Sequence, residues 1–470
     1  MLGLPLLELR CGAVAAGGST VARADDGRVV FVRHALPGEL VRARVTAVAT
    51  SYLRADAVEI LEPSACRVEP PCAHAGPDRC GGCDFQHVEL GEQRRLKAAL
   101  VAEQLRRLAG LDCSVPVEEL PGAPDGLGWR TRVRFAADGD GRLGMRRHRS
   151  HEVEAVEQCA VAAASIAATG AQRARWHPGL EVEVLAPAAP APAATAPATA
   201  AAAAPAAAAR ASQDPPAKEP GAGGANALVA ATSQGDRWPA VAPRLLAPAT
   251  GLVVGGRAIR GPGSVRAEVL GHTFRISAGS FWQAHSHGPT VLGRAVLDGL
   301  EPRRGEAVLD LFAGVGLFSV LLGSAVGPDG SVLAVERDRG ACADARHNTR
   351  RFAHVEVREA NVSSAVLASL GRYDLVVLDP PRQGAGAGLM TALVELEPAP
   401  RRVAYVACDP ASFARDLAVA LQAGWSMPSL RAFDQFPMTE HVEIVALLEP
   451  PAPAVPGVPR LDAPPAGQRR

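Results

Sequence analysis

The 470-residue sequence has no net charge, with 49 Lys and Arg against 49 Asp and Glu. A balanced chain exerts no general pull on phosphates, so a polyanionic partner would have to be met by local patches. No apolar run is long enough to cross a bilayer, and Met1 to Arg10 lacks the basic start and cleavage site of a secretory leader. The expectation is a cytoplasmic chain that meets no membrane. The glycine turn at Gly314 and Gly316 is not a full G-x-G-x-x-G, and no Lys-Ser/Thr pair follows it, which disfavours a dinucleotide or a nucleoside triphosphate as ligand there. Large apolar residues are also scarcer than the 48% hydrophobic content suggests, because much of it is alanine.

Two segments have little that could form a core. Residues 186–248 are mostly Ala, Pro and Gly, which cannot offset their ordering entropy, and the stretch after Glu449 is similar. Both are expected to be disordered. The remaining length allows about three domains.

Against these absences stand four segments that carry chemistry. The apolar run Val403 to Ala407 delivers Cys408 to its end, followed by Asp409 and a Pro-started helix predicted over Ser412 to Leu421. A thiol at the carboxyl end of a buried strand lies where open α/β sheets hold their ligands, which makes Cys408 a nucleophile candidate. In Val308 to Ser319 an apolar strand enters a turn whose Gly314 and Gly316 leave backbone bare for a ligand. The strand Val332 to Val335 then ends in Glu336, the acidic position that binds ribose hydroxyls. A nucleoside without a pyrophosphate fits this pair of strands, and S-adenosylmethionine is such a ligand. Tyr373 to Arg382 reads as a buried strand ending in Asp379-Pro380-Pro381-Arg382, with the prolines stiffening the loop that carries the carboxylate. Amino-group methylases place an aromatic residue after a similar Asp-Pro-Pro, so Arg382 argues against methylation of an exocyclic amine. Finally, Phe433 to Leu448 places Glu443 at the start of an apolar strand, after a Pro turn and His441.

In this order and separation the motifs, together with Phe281-Trp282-Gln283, resemble the RNA (uracil-5-)-methyltransferases over most of the chain outside the Ala/Pro-rich insertion. The resemblance implies a Rossmann-like α/β methyltransferase domain and transfer of a methyl group from S-adenosylmethionine to C5 of a uridine in structured RNA. Uracil C5 is a weak nucleophile, so a thiolate must first add to C6. Cys408 would supply it, and Glu443 would act as general base for the C5 proton. Gln283 and Asp379 would hold the uracil edge or the donor, Phe312 and Glu336 would contact the donor, and Asn361 falls at its adenine end. Two positions depart from the family: Leu317 and Asp409 stand where Asn is common.

Leu7 to Leu61 alternates apolar and polar residues over short runs, the pattern of a small antiparallel β-barrel. Its position and Ala35 to Glu39 resemble a TRAM domain, an RNA-binding module of oligonucleotide-binding barrel type, with Arg33, His34, Arg42, Arg44 and Arg54 as candidate phosphate contacts. Cys66, Cys72, Cys80 and Cys83 cluster at a metal-ligand spacing that leaves zinc and iron-sulfur open. The family resemblance implies a [4Fe-4S] cluster on Cys72, Cys80, Cys83 and Cys159, with Cys66 spare or replacing Cys72. The missing Cys-x3-Cys-x2-Cys disfavours a radical enzyme. Trp129 to Phe135 and Arg142 to Arg149 read as a hairpin with one basic face for an RNA backbone.

The expected organisation is a TRAM-like barrel over 1–62, a cysteine-cluster and RNA-binding domain over 63–185, the insertion over 186–248, the methyltransferase domain over 249–450, and a tail over 451–470. A monomer acting on ribosomal or transfer RNA is expected, and sequence alone does not choose between these RNAs. Two alternatives are an RNA-associated iron-sulfur protein with a decayed methylase domain, and an RNA cytosine-5 methyltransferase. Retention of Cys408, Asp379 and Glu443 argues against the first, and the absence of a Pro-Cys motif from residues 249–450 against the second.

Overall fold

Alternation of apolar and polar residues puts one face of each amino-terminal strand into a core. β1 (Leu6–Arg10), β2 (Val14–Ala15), β3 (Ser19–Arg23), β4 (Val29–Arg33), β5 (Leu40–Val48) and β6 (Tyr52–Glu62) form one sheet in the order β1-β5-β6-β4-β3-β2. Val30, Val32, Val41, Ala43 and Val45 fill its interior. The computed structural model describes residues 6–187, 227–232 and 250–452. Among these, no helix is long and apolar enough to cross a membrane.

The cysteine-bearing segment leads into α1 (Leu90–Gln104), whose first turn is capped by Glu89. β7 (Val117–Glu119) follows, then β8 (Arg132–Ala137), β9 (Leu143–Arg146), β10 (Val153–Ala155), the short α2 (Ala164–Ala168) and β11 (Glu181–Leu185). β12 (Leu228–Thr232), β13 (Gly251–Val254) and β14 (Arg257–Arg260) complete a seven-stranded sheet in the order β10-β9-β8-β11-β12-β13-β14.

This sheet corrects two expectations. Leu228–Thr232, inside the segment expected to be disordered, is an interior strand paired with β11 and β13. Its Leu-Val-Ala-Ala residues are small but buried on both faces, and neighbouring strands supply the contact area that composition did not reveal. The sheet also runs past residue 249, so β13 and β14 belong to the middle unit rather than to the domain that follows.

After the hairpin β15 (Ser264–Val269) and β16 (His272–Ser277) comes α3 (Gly288–Leu300). The chain then alternates: β17 (Ala307–Leu311), α4 (Leu317–Val326), β18 (Ser331–Glu336), α5 (Arg339–Thr349), β19 (Val355–Glu359), α6 (Ser364–Ala368), β20 (Leu375–Leu378), α7 (Ala387–Val394), β21 (Arg402–Ala407) and α8 (Pro410–Gln422). β23 (Glu443–Glu449) then pairs antiparallel with β21, and β22 (Ser426–Asp434) pairs antiparallel with β23. The strand order is β19-β18-β17-β20-β21-β23-β22-β7, with β7 of the middle segment on the edge. β17, β20 and β21 are almost wholly buried, as strands covered by helices on both faces must be. The order reverses between β17 and β20, and such a switch point opens a crevice at the carboxyl ends of the strands.

Candidate active site

The crevice is lined by the ends of four strands. After β17 the chain turns through Phe312, Gly314 and Gly316, all with positive φ (62°, 54° and 86°). Glycine adopts this conformation freely, but Phe312 is strained there. No other atom lies within 4 Å of where a Cβ on Gly314 would sit, so this turn borders open space. The Gly314 amide donates to Glu336 Oε2 at 2.9 Å, while Glu336 Oε1 accepts from the amides of Arg337 (2.8 Å) and Asp338 (2.7 Å). The carboxylate at the end of β18 is thereby fixed beside the glycine turn. Asn361, two residues beyond β19, is exposed on the same strand edge. Leu317, where the family commonly has Asn, is buried in the core as the first residue of α4.

At the ends of β20, β21 and β23 three acidic groups meet. Glu443 is 2% exposed. Burial first, then the charge of Asp379, raises its carboxyl well above the ordinary range, opposed only by Arg382. Burial pushes the Cys408 thiol up to about 12, with Glu443 and Asp379 adding to the rise and Arg382 opposing it. Asp379 itself is raised to about 7 by burial and by Asp310. The free site therefore holds a thiol and carboxyls that burial makes harder to ionise, with one cation facing them. The Arg382 guanidinium lies 3.0 Å from His441 Nε2, and its backbone carbonyl accepts from Ser412 Oγ at 2.8 Å. Asp409 caps α8: its Oδ1 accepts from the Ser412 amide at 2.8 Å, which holds the turn that carries Cys408. That helix begins at Pro410, two residues before the predicted start.

Gln283 is buried at the opening of the crevice, where its Oε1 accepts from Gln435 Nε2 at 2.7 Å. Phe281 beside it is 60% exposed, with the Arg132 guanidinium 5.8 Å from its ring centre. Sequence reasoning missed Asp310, Gln435 and His441, although all three lie inside motifs already singled out. Only their contacts reveal a role.

Cys72, Cys80, Cys83 and Cys159 form one electrostatic neighbourhood, in which burial and the nearby thiols push Cys80 up to about 11, Cys83 up to about 12 and Cys159 upward. Arg130 lies among them as the counter-charge. Cys66 does not figure in that group and instead lies against Arg95. Among the described residues no three His, Cys, Asp or Glu side chains converge as a metal ion would require.

Two sets of expected phosphate contacts need correction. Arg33 and His34 are 8% and 9% exposed, packed between the first sheet and the cysteine segment, with Arg33 3.5 Å from Asp84. Arg42 and Arg44 are paired with Glu59 and Asp78, while Arg54 lies over the rings of Tyr52 and Phe31 at 5.4 and 5.8 Å. On the hairpin, Glu183 binds both Arg132 (2.8 Å) and Arg134 (3.3 Å), and Arg146 meets Glu181 at 3.0 Å. The adjacent strand β11 thus pairs Arg132, Arg134 and Arg146 with two carboxylates and offsets most of the charge that read as free cation.

A switch-point crevice with a glycine turn, an acid on the next strand and a strand-end thiol defines an α/β methyltransferase. The family of tRNA (uracil-5-)-methyltransferases matches residues 272–450, and the TRAM domain matches residues 13–58. The chain is 44% identical to an uncharacterized RNA methyltransferase of Streptomyces avermitilis, over 95% of this chain and 98% of that protein. It is 30% identical to a 23S rRNA (uracil(1939)-C(5))-methyltransferase of Shewanella sp. strain MR-7, over 90% of this chain and 91% of the other. The Pyrococcus abyssi tRNA (uracil-54, C5)-methyltransferase, solved with S-adenosyl-L-homocysteine, shares the fold with a TM-score of 0.64 at 20% identity, over 94% of this chain and 100% of that one. The chain belongs to the RNA (uracil-5-)-methyltransferases, which take their methyl group from S-adenosylmethionine.

Proposed function

We propose that the protein methylates C5 of a uridine in structured RNA through a transient bond between Cys408 and C6. The observation that carries this reading is the convergence of Cys408, Glu443 and Asp379 at one sheet edge, beside the glycine turn. Addition of the Cys408 thiolate to C6 places electron density on C5, which attacks the sulfonium methyl and breaks its bond to sulfur, so that S-adenosylhomocysteine leaves. Ionised Glu443 then takes the C5 proton, the C6–S bond breaks with its electron pair returning to sulfur, and the pyrimidine double bond is restored. The raised thiol and carboxyl mean that the free enzyme is not poised to react. A cationic sulfonium entering this acidic crevice favours ionisation of both groups, so donor binding arms the site.

Gln283, Phe312, Gly314, Glu336, Asn361 and Asp379 are assigned to the donor and the uracil edge. The target base must leave its stack to reach Cys408. Relatives that act on ribosomal and on transfer RNA both fit, and the RNA is assigned no further than structured RNA.

The resident group proposed for Cys72, Cys80, Cys83 and Cys159 is a [4Fe-4S] cluster. Four half-buried thiols that interact electrostatically, with Arg130 beside them, suit an anionic thiolate cluster. Such a cluster would be structural, tying Cys159 to the segment that precedes α1.

The test is incubation with methyl-labelled donor and total RNA, followed by nucleoside analysis. Labelled 5-methyluridine is expected from the parent and none from Cys408→Ser. Recovery of 5-methylcytidine, no label, or undiminished product from the serine variant would overturn the reading.

A further inference from the structure

The general base of the proposed reaction stands at the first position of β23, so its placement depends on the loop from Gln435 to Val442. That loop is held at alternate residues from outside its own domain. Lys97, on α1 and with no exposed side-chain surface, donates to Asp434 Oδ1 at 2.6 Å and to the Phe436 carbonyl at 3.0 Å. Gln93, one turn earlier on α1, accepts from the Met438 amide at 2.8 Å. Its Nε2 donates to the carbonyls of Phe85 (3.1 Å) and Val88 (2.9 Å). The amides of Asp84 and Phe85, the two residues after Cys83, both donate to the Met438 carbonyl, at 3.0 and 2.9 Å. The Gly17 amide of the amino-terminal sheet donates to the Glu440 carboxylate. Met438 holds a positive φ of 68°, a conformation that a non-glycine residue keeps only when its surroundings fix it.

Lys97 is the cation at the centre of this arrangement, facing Asp434, Asp84 and Glu440 from three segments. A fully buried lysine in a helix that carries no reacting group is costly to keep. Stability alone would be served as well by an apolar side chain of the same length, whereas an ion pair and an amide fork impose one geometry on the loop.

We infer that Lys97 and Gln93 are positioning residues for Glu443: α1, fixed to the cysteine segment, sets the loop that aims the base at the C5 proton. This rests on the assignment of Glu443 as base, and it goes beyond that assignment by naming what holds it. The step that depends on it is elimination. Methyl transfer requires Cys408 and the donor, whereas the hydrogen bonds of Lys97 and Gln93 go to the loop before β23 and to the cysteine segment, and breaking the C6–S bond requires Glu443 to take the proton.

The test uses the full chain with an RNA substrate and labelled donor, following the denaturation-resistant protein–RNA adduct over time. Glu443→Gln is the control and should accumulate methylated adduct; if it does not, the assignment of the base fails, whatever the other variants do. Given that control, Lys97→Met and Gln93→Met should form methylated adduct at near the parental rate with an unchanged KM for the donor. They should release it on the order of 10²-fold more slowly, the usual effect of an ångström-scale misplacement. Gln93→Met keeps a side chain of similar length, adds no charge and removes the acceptor for the Met438 amide, so it decides the matter if Lys97→Met does not fold. Parental adduct decay in the folded variants, or formation and decay slowed equally, would overturn the inference. Unfolding of both variants would overturn it as well, by assigning α1 to stability alone.

Discussion

Asp310 and Asp379 leave adjacent parallel strands at the same edge of the sheet, and burial raises both carboxyls to about 7. Asp310 adds to the rise at Asp379, and its own Oδ2 accepts the Ser319 hydroxyl while Oδ1 has no partner. The crevice that admits a sulfonium cation is thus backed by a pair of acids whose ionisation a nearby positive charge favours.

A carboxyl raised in the folded state binds its proton more tightly than in the unfolded chain. Its favourable contribution is complete below the ordinary carboxylate range and is lost as pH rises through about 7. Asp310→Asn removes this dependence. Thermal unfolding of variant and parent should show the variant gaining relative stability between about pH 4 and pH 7, by no more than about 1.4 kcal/mol per pH unit. Parallel curves would refute the pairing. The comparison must be between variants because His87, His285 and His441, each lowered to about 4, oppose the trend by destabilising the fold as pH falls below their ordinary range.

Arg382 is the cation that opposes the rise of the Cys408 thiol. Alkylation of Cys408 in the free protein, followed by peptide mass spectrometry, should still be accelerating above pH 9. Arg382→Met should slow it by a few-fold, roughly the worth of one partly exposed charge. Faster labelling in that variant would contradict the electrostatics.

Asp409 departs from the asparagine common at its position and is the cap of α8. Asp409→Ala should cost about 1 kcal/mol, whereas Asp409→Asn should be nearly neutral because Asn caps equally well. Calorimetry on the two variants checks both. Equal losses would mean that the residue acts through its charge.

Leu228 is 1% exposed within the seven-stranded sheet, between β11 and β13. Leu228→Ala should destabilise the protein by about 2–5 kcal/mol in denaturant unfolding. A change within error would mean that this strand does not belong to the folded unit.

By itself the sequence determined the alternating sheet and helix order from Val308 onward, because buried parallel strands are continuous apolar runs and each ends where a functional group must emerge. Cys408, Asp379, Glu336 and Glu443 were legible for that reason: a strand end is a position in sequence and in space at once. What only the tertiary structure decided were relationships across long separations. Glu183 lies 51 residues from Arg132 and offsets charge on a face that looks basic in the local sequence. Lys97 reaches a carboxylate 337 residues away. Leu228 to Thr232 is an interior strand only because β11 and β13 close around residues too small to show a pattern of their own. Periodicity reports which face a residue takes within its own element, whereas the partner that meets that face is fixed by how the elements pack.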